Sequence, residues 1–119
     1  LHLAANQGHP QAQFNLGVSY GNGQGVTQNY QEAVKWFRMA AKQGNATAQN
    51  SLGFSYDLGQ GVRQDYVRAH MWFALAIVNG HSEAQANRDK AAEHMTPAQI
   101  AEARKLARDC KKSNYTNCD

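Results

Sequence analysis

The chain has 119 residues, with 12 lysines and arginines against 9 aspartates and glutamates, for a formal net charge of +3. That length suits one compact domain, and so weak a basic balance excludes the dense Lys/Arg patch of a nucleic-acid binder. No apolar run approaches the ~20 residues needed to cross a bilayer.

The chain begins inside a repeated unit. Ala4, Ala5 and Gly8 match Ala40, Ala41 and Gly44, so residues 1–8 read as the end of a preceding helix. The start at Leu1, without Met, adds to the expectation that the chain comes from a longer or processed parent. Residues 9–44 form a first full unit and residues 45–80 a second. Seventeen of the thirty-six residues from Gly8 to Gln43 return in order from Gly44 to Asn79. A fixed period of this length marks a stacked solenoid, which is more often a binding surface than an enzyme.

Each unit reads as two helices. In the first, Ala12, Leu16 and Tyr20 fall at i, i+4 and i+8 and return as Ala48, Leu52 and Tyr56, one apolar stripe. Gly17 and Gly53 sit inside that helix, where glycine costs ~1 kcal/mol relative to alanine. Repetition of that cost implies two helices in close approach. A glycine-rich turn follows, Gly21 to Gln28 and Asp57 to Gln64. Asn29 and Asp65 stand at N-cap positions, Asn29 with Glu32 at capping-box spacing. In the second helix Ala33, Trp36, Phe37, Ala40 and Ala41 make the broad stripe of a core-facing helix. Ala69, Trp72, Phe73, Ala76 and Ile77 repeat it. Burying a tryptophan hides ~150–250 Å², a gross ~4–6 kcal/mol, which assigns Trp36 and Trp72 to the core. His70 replaces Val34 and is expected at the edge of the second helix.

Residues 81–112 read as a degenerate repeat and a capping helix. Arg88, Asp89 and Ala92 take the places of Leu, Gly and Tyr, and the GQGV turn is gone. Thr96-Pro97-Ala98-Gln99 opens a new helix with an N-cap, a proline at N1 and a glutamine at N3. Ile100, Ala103, Ala107 and Cys110 line one face of it. A more polar last unit is what closes the open end of a solenoid. Arg104, Lys105, Arg108, Lys111 and Lys112 read as cations complementing that helix's C-terminal dipole. Residues 113–119 read as a tail.

Features that resemble catalytic motifs read as architecture. The GNGQGV turn follows a helix rather than a strand and lacks the Lys-Ser/Thr of a phosphate loop. His9 and His81 are equivalent positions two units apart, and no histidine stands at i, i+4 from another or from a cysteine, so no metal site is expected. Ser19 and Ser55 are repeat equivalents without an implied His–acid partner. No catalytic residue and no cofactor is expected.

The pattern AQxxLGxxYxxGxGVxxDYxxAxxWFxxAAxxG, met twice in succession from Ala12 onward, resembles the Sel-one-like repeat family, a relative of tetratricopeptide repeats. The resemblance covers Leu3 to about Gln85 and holds only loosely in the cap. It implies an all-α fold, antiparallel helical hairpins stacked into a right-handed α/α superhelix, with the first helices lining a concave face. It implies an adaptor or scaffold, bacterial, that binds a protein or peptide; the weak basic balance and the lack of a long apolar run speak against nucleic acid and membrane insertion. Residues offset from the apolar stripe would face the groove. These are Gln11, Phe14, Val18 and Asn22, then Thr47, Asn50, Phe54 and Leu58, with Glu83, Ala86, Lys90 and His94 in the cap. They differ between copies while the scaffold positions, Gly17, Gly53, Trp36, Trp72, Tyr20 and Tyr56, do not. The alternative is an exported enzyme-like or enzyme-inhibiting member, such as a β-lactam-binding protein. Against it, the only cysteines lie outside the full repeats and no Ser-x-x-Lys motif is present.

Cys110 and Cys118 leave two states open, free thiols or one local bridge. A bridge pinning the tail is favoured because no other cysteine competes. It would place the protein in an oxidising compartment, periplasmic or secreted, with the cytoplasm not excluded. The oligomeric state and the partner's identity are not legible.

Overall fold

A computed structural model describes residues 2–118. Seven helices follow one another: α1 (His2–Asn6), α2 (Pro10–Asn22), α3 (Tyr30–Ala41), α4 (Ala46–Leu58), α5 (Tyr66–Val78), α6 (Ala84–Ala92) and α7 (Pro97–Lys112), with no strand among the described residues. The helices stack along a long axis of 42 Å. Within units α2 packs on α3 and α4 on α5; between units α1 packs on α2 and α3 on α4. The all-helical solenoid expected from the period is therefore the fold of the chain.

Local chemistry sets the helix limits. The Asn29 and Asp65 side chains accept hydrogen bonds from the backbone N–H groups of Glu32 and Arg68. Asn45 caps α4 in the same way through the Ala48 N–H. Thr96 and Gln99 form a reciprocal capping box at the start of α7. At the other end of α2 and α4, Gly23 and Gly59 turn the chain with φ of 69° and 68°, a left-handed backbone that favours glycine. The turn then closes on itself: the Asn29 N–H donates to the Tyr20 carbonyl and the Asp65 N–H to the Tyr56 carbonyl, both at 2.9 Å. That closure fixes the turn's length in both units.

Packing explains the helix glycines. A β-carbon on Gly17 would lie 2.6 Å from the Phe37 ring, and one on Gly53 would lie 2.5 Å from the Phe73 ring. Each phenylalanine of the second helix thus lies where a side chain of the first would have been. Trp36 and Trp72 are buried, as are Leu16, Leu52 and Phe73. Neither indole N–H finds a partner among the described residues, so apolar packing holds both rings.

A second joint ties each unit to the one before it. Gln13 and Gln49 are buried. Gln13 Nε2 donates to the Ala5 carbonyl at 3.2 Å, and Gln49 Nε2 donates to the Ala41 carbonyl at 3.1 Å. These carbonyls belong to the end of the preceding helix, and each also accepts one backbone N–H, from Gly8 and Gly44. Each glutamine's Oε1 accepts from the end of its own unit, from Gln43 Nε2 at 2.8 Å and Asn79 Nδ2 at 3.0 Å.

The C-terminal end departs from expectation in two places. His70 is buried rather than at an edge. Both α6 and α7 pack on α5, so the helix that would be an outer layer becomes the centre of the cap. His70 Nδ1 has no hydrogen-bond partner among the described residues. Burial, reinforced by the charges of Arg88 and Arg104 against a smaller opposing effect of Asp89, lowers its pKa and favours the neutral ring.

The segment read as a tail folds back on the solenoid. After α7, Asn114 and Tyr115 take left-handed backbone, with φ of 57° and 65°. Tyr115 is buried, and its hydroxyl accepts from Asn79 Nδ2 at 2.9 Å. Cys110 and Cys118 are joined by a disulfide. Asp119 lies outside the described residues. Intact mass without reductant should be lower by two hydrogens, with the two cysteines in one linked peptide; full alkylation of both in never-reduced protein would refute the bridge. So short a loop stabilises by about 2.5 kcal/mol at most, and Cys118→Ser should loosen Tyr115 while leaving the helices folded.

Candidate functional site: a cleft between the first helices

The first helices of the two units, α2 and α4, stand apart, because each packs instead on the second helices beside it. The gap between them is a cleft of about 320 Å³. Its floor is Ala33 and Phe37 of α3. Val18, Gly21 and Asn22 of α2 form one wall; Ser51, Phe54 and Ser55 of α4 form the other; Tyr30 and Gln60 close one end. Close packing creates this floor: because Gly17 lacks a side chain, the Phe37 ring packs against it and lines the cleft.

The sequence-derived surface residues divide on the structure. Val18, Asn22 and Phe54 come together in the cleft. Phe54 is 39 % exposed and stands edge-on against Phe73, with ring centroids 5.3 Å apart. Leu58 is 58 % exposed, one turn further along α4 and outside the cleft. Phe14 is half-buried against Phe37, with centroids 5.8 Å apart. Gln11 is exposed and donates to Asn15, and Thr47 is exposed. Asn50 accepts from Asn87 Nδ2 of α6 at 3.0 Å, so the cap occupies it.

Sequence reasoning passed over Tyr30, Ser51 and Gln60. Tyr30 and Gln60 recur as Tyr66 and Gln24, so periodicity marked them as scaffold. Ser51 does vary, standing where the first unit has Asn15, and that variation was the available clue. None of the ten residues lining the cleft is charged. Among the described residues no cluster of three or more His, Cys, Asp or Glu side chains could hold a metal ion, and no helix is long and apolar enough to cross a membrane.

Comparison with known proteins follows the same lines. The Sel1 repeat profile matches residues 10–45 and 46–81. No curated protein sequence matches the chain. Among solved structures, the chain is similar to c5321, a protective antigen of uropathogenic Escherichia coli strains displaying an SLR fold. The two are 36% identical with a TM-score of 0.88, over 94% of this chain and 25% of the antigen. It is also similar to a Sel1 repeat protein from Oxalobacter formigenes, 35% identical with a TM-score of 0.72, over 75% of this chain and 67% of that one. The chain thus spans about a quarter of the antigen's length. Two matched units, the hairpin stack and these likenesses make the chain a member of the Sel1 repeat family, whose members are commonly protein-interaction scaffolds and generally non-catalytic.

Proposed function

We propose that the chain is a protein- or peptide-binding module that receives its partner in the groove between α2 and α4, without catalytic turnover. The observation that carries this reading is the uncharged cleft with the exposed ring of Phe54 on its wall. Leu58 extends the apolar surface beyond it. Val18, Asn22, Phe54 and Leu58 form the binding face; Gln11 and Thr47 serve as its rim, and Phe14 and Asn50 support it from below and from the cap. The Cys110–Cys118 bridge favours an oxidising compartment, periplasmic or secreted in a bacterium.

A half-exposed aromatic at an interface centre contributes ~2 kcal/mol or more to affinity. Phe54→Ala should therefore weaken binding of a partner by ~30-fold with helical content unchanged. Lys35→Ala, on the exposed side of α3, should do little. Isothermal titration of a partner recovered with the full chain under oxidising conditions measures both. A partner whose footprint lies on the outer face of α3 and α5, or on the C-terminal turn, would refute the reading.

A further inference from the structure

The polar groups in the cleft say what kind of side chain it takes, an inference that rests on the binding reading above. Asn22, Ser51 and Gln60 line the cleft, and their side chains make no hydrogen bond with any described residue. Tyr30 and Ser55 differ: the Tyr30 hydroxyl accepts from Gln28 and the Ser55 hydroxyl donates to the Ser51 carbonyl. Two amides and a hydroxyl are thus uncommitted, each able both to donate and to accept. They surround an apolar floor, and no charge lies among them.

A volume of about 320 Å³ is at the small end of the ~300–1,000 Å³ typical of ligand pockets, which suits one large side chain rather than an extended cofactor. The exposed edge of Phe54 and the Phe37 ring favour an aromatic occupant, since offset and edge-to-face ring pairs add to area burial. The free amides and hydroxyl favour a polar tip that is neutral. An ionised group would lose water there without meeting a counter-charge.

We propose that the cleft receives one uncharged aromatic side chain with a hydroxyl tip, a tyrosine of the protein or peptide partner, its ring against Phe54 and Phe37 and its hydroxyl among Asn22, Ser51 and Gln60. Phosphorylation of that tyrosine would exclude it.

The experiment is a titration of the ¹⁵N-labelled full chain, disulfide intact, with N-acetyl-tyrosinamide, N-acetyl-phenylalaninamide and N-acetyl-O-phosphotyrosinamide. The tyrosinamide should shift the backbone amides of Val18, Asn22, Ser51 and Phe54 in a saturable way. The phenylalanine analogue should bind several-fold more weakly, and the phosphorylated one at least about tenfold more weakly. Asn22→Lys, an exposed position at the end of α2, should reverse the order of the first and third probes. Equal binding of the phosphorylated and plain probes by the unmodified chain overturns the uncharged anchor, and equal binding of the phenylalanine analogue overturns the polar tip. Absence of any shift at these amides with all three probes overturns the anchor altogether. The groove reading is judged separately, by Phe54→Ala against an intact partner, and that measurement does not depend on the probes.

Discussion

Gly53→Leu should cost the fold ~2 kcal/mol or more, shifting the thermal midpoint by roughly 8 °C or more downward. The first β-carbon alone would sit 2.5 Å from Cε1 and 2.6 Å from Cδ1 of Phe73. That ring cannot swing aside, because Phe73 is fully buried and Phe54 stands edge-on against it. Removing a helical glycine returns ~1 kcal/mol of helix propensity. Overpacking a dense core costs ~1–3 kcal/mol, and here leucine's remaining atoms must also be housed between α4 and α5, so the loss exceeds the gain. Gln60→Ala, in the following turn, should leave the midpoint almost unchanged, since the Gln60 backbone N–H keeps its bond to the Ser55 carbonyl. Equal, small losses from the two variants, read by circular dichroism melts, would refute the close-approach argument.

The second large effect should come from Gln49→Leu, expected at ~1–3 kcal/mol. Leucine has a comparable bulk, so no large cavity opens. What is lost is polar: the Ala41 carbonyl loses its side-chain donor and Asn79 Nδ2 loses an acceptor at 3.0 Å. Neither group is stranded: the Ala41 carbonyl keeps the Gly44 N–H, and Asn79 Nδ2 keeps the Leu75 carbonyl and the Tyr115 hydroxyl, so the loss is that of two net hydrogen bonds at ~0.5–1.5 kcal/mol each. Gln13→Leu should cost less. Its joint holds only the five-residue α1 to the stack. Urea unfolding of both variants tests this. A loss below ~0.5 kcal/mol for Gln49→Leu would show that water satisfies those groups.

Much of this was legible because a repeat reports its own constraints. Gly17 and Gly53 recur at a cost, which pointed to close packing before Phe37 and Phe73 were placed opposite them. Asn29 and Asp65 precede helical stripes and cap them. Gln13 and Gln49 were legible as recurrent but not as joints, because their partners are backbone carbonyls of the preceding unit, and a carbonyl leaves no mark in a sequence. His70 was misplaced for a related reason. Its burial comes from α6 and α7 lying on α5, and a degenerate unit carries no period from which that docking could be read. Tyr115 depended on the same docking. In the cleft, variation between copies found Val18, Asn22 and Phe54 but could not find Gln60, whose recurrence in the turn marked it as scaffold. The same criterion included Asn50, which the cap had already engaged.

The glutamine joint has a consequence for how such chains can grow. Each unit carries both halves of the connector: a glutamine near its start that seeks a carbonyl, and a helix near its end that offers one. A duplicated or deleted segment of one period therefore arrives with compatible ends, and no neighbouring interface has to be redesigned. Recombination between copies can change the length of the array while the register of every junction survives. The exception is the junction at Asn79, where the Tyr115 hydroxyl fills the site beside Gln49. Additional units of the same period fit ahead of that point, where the glutamine joint stands without the tyrosine.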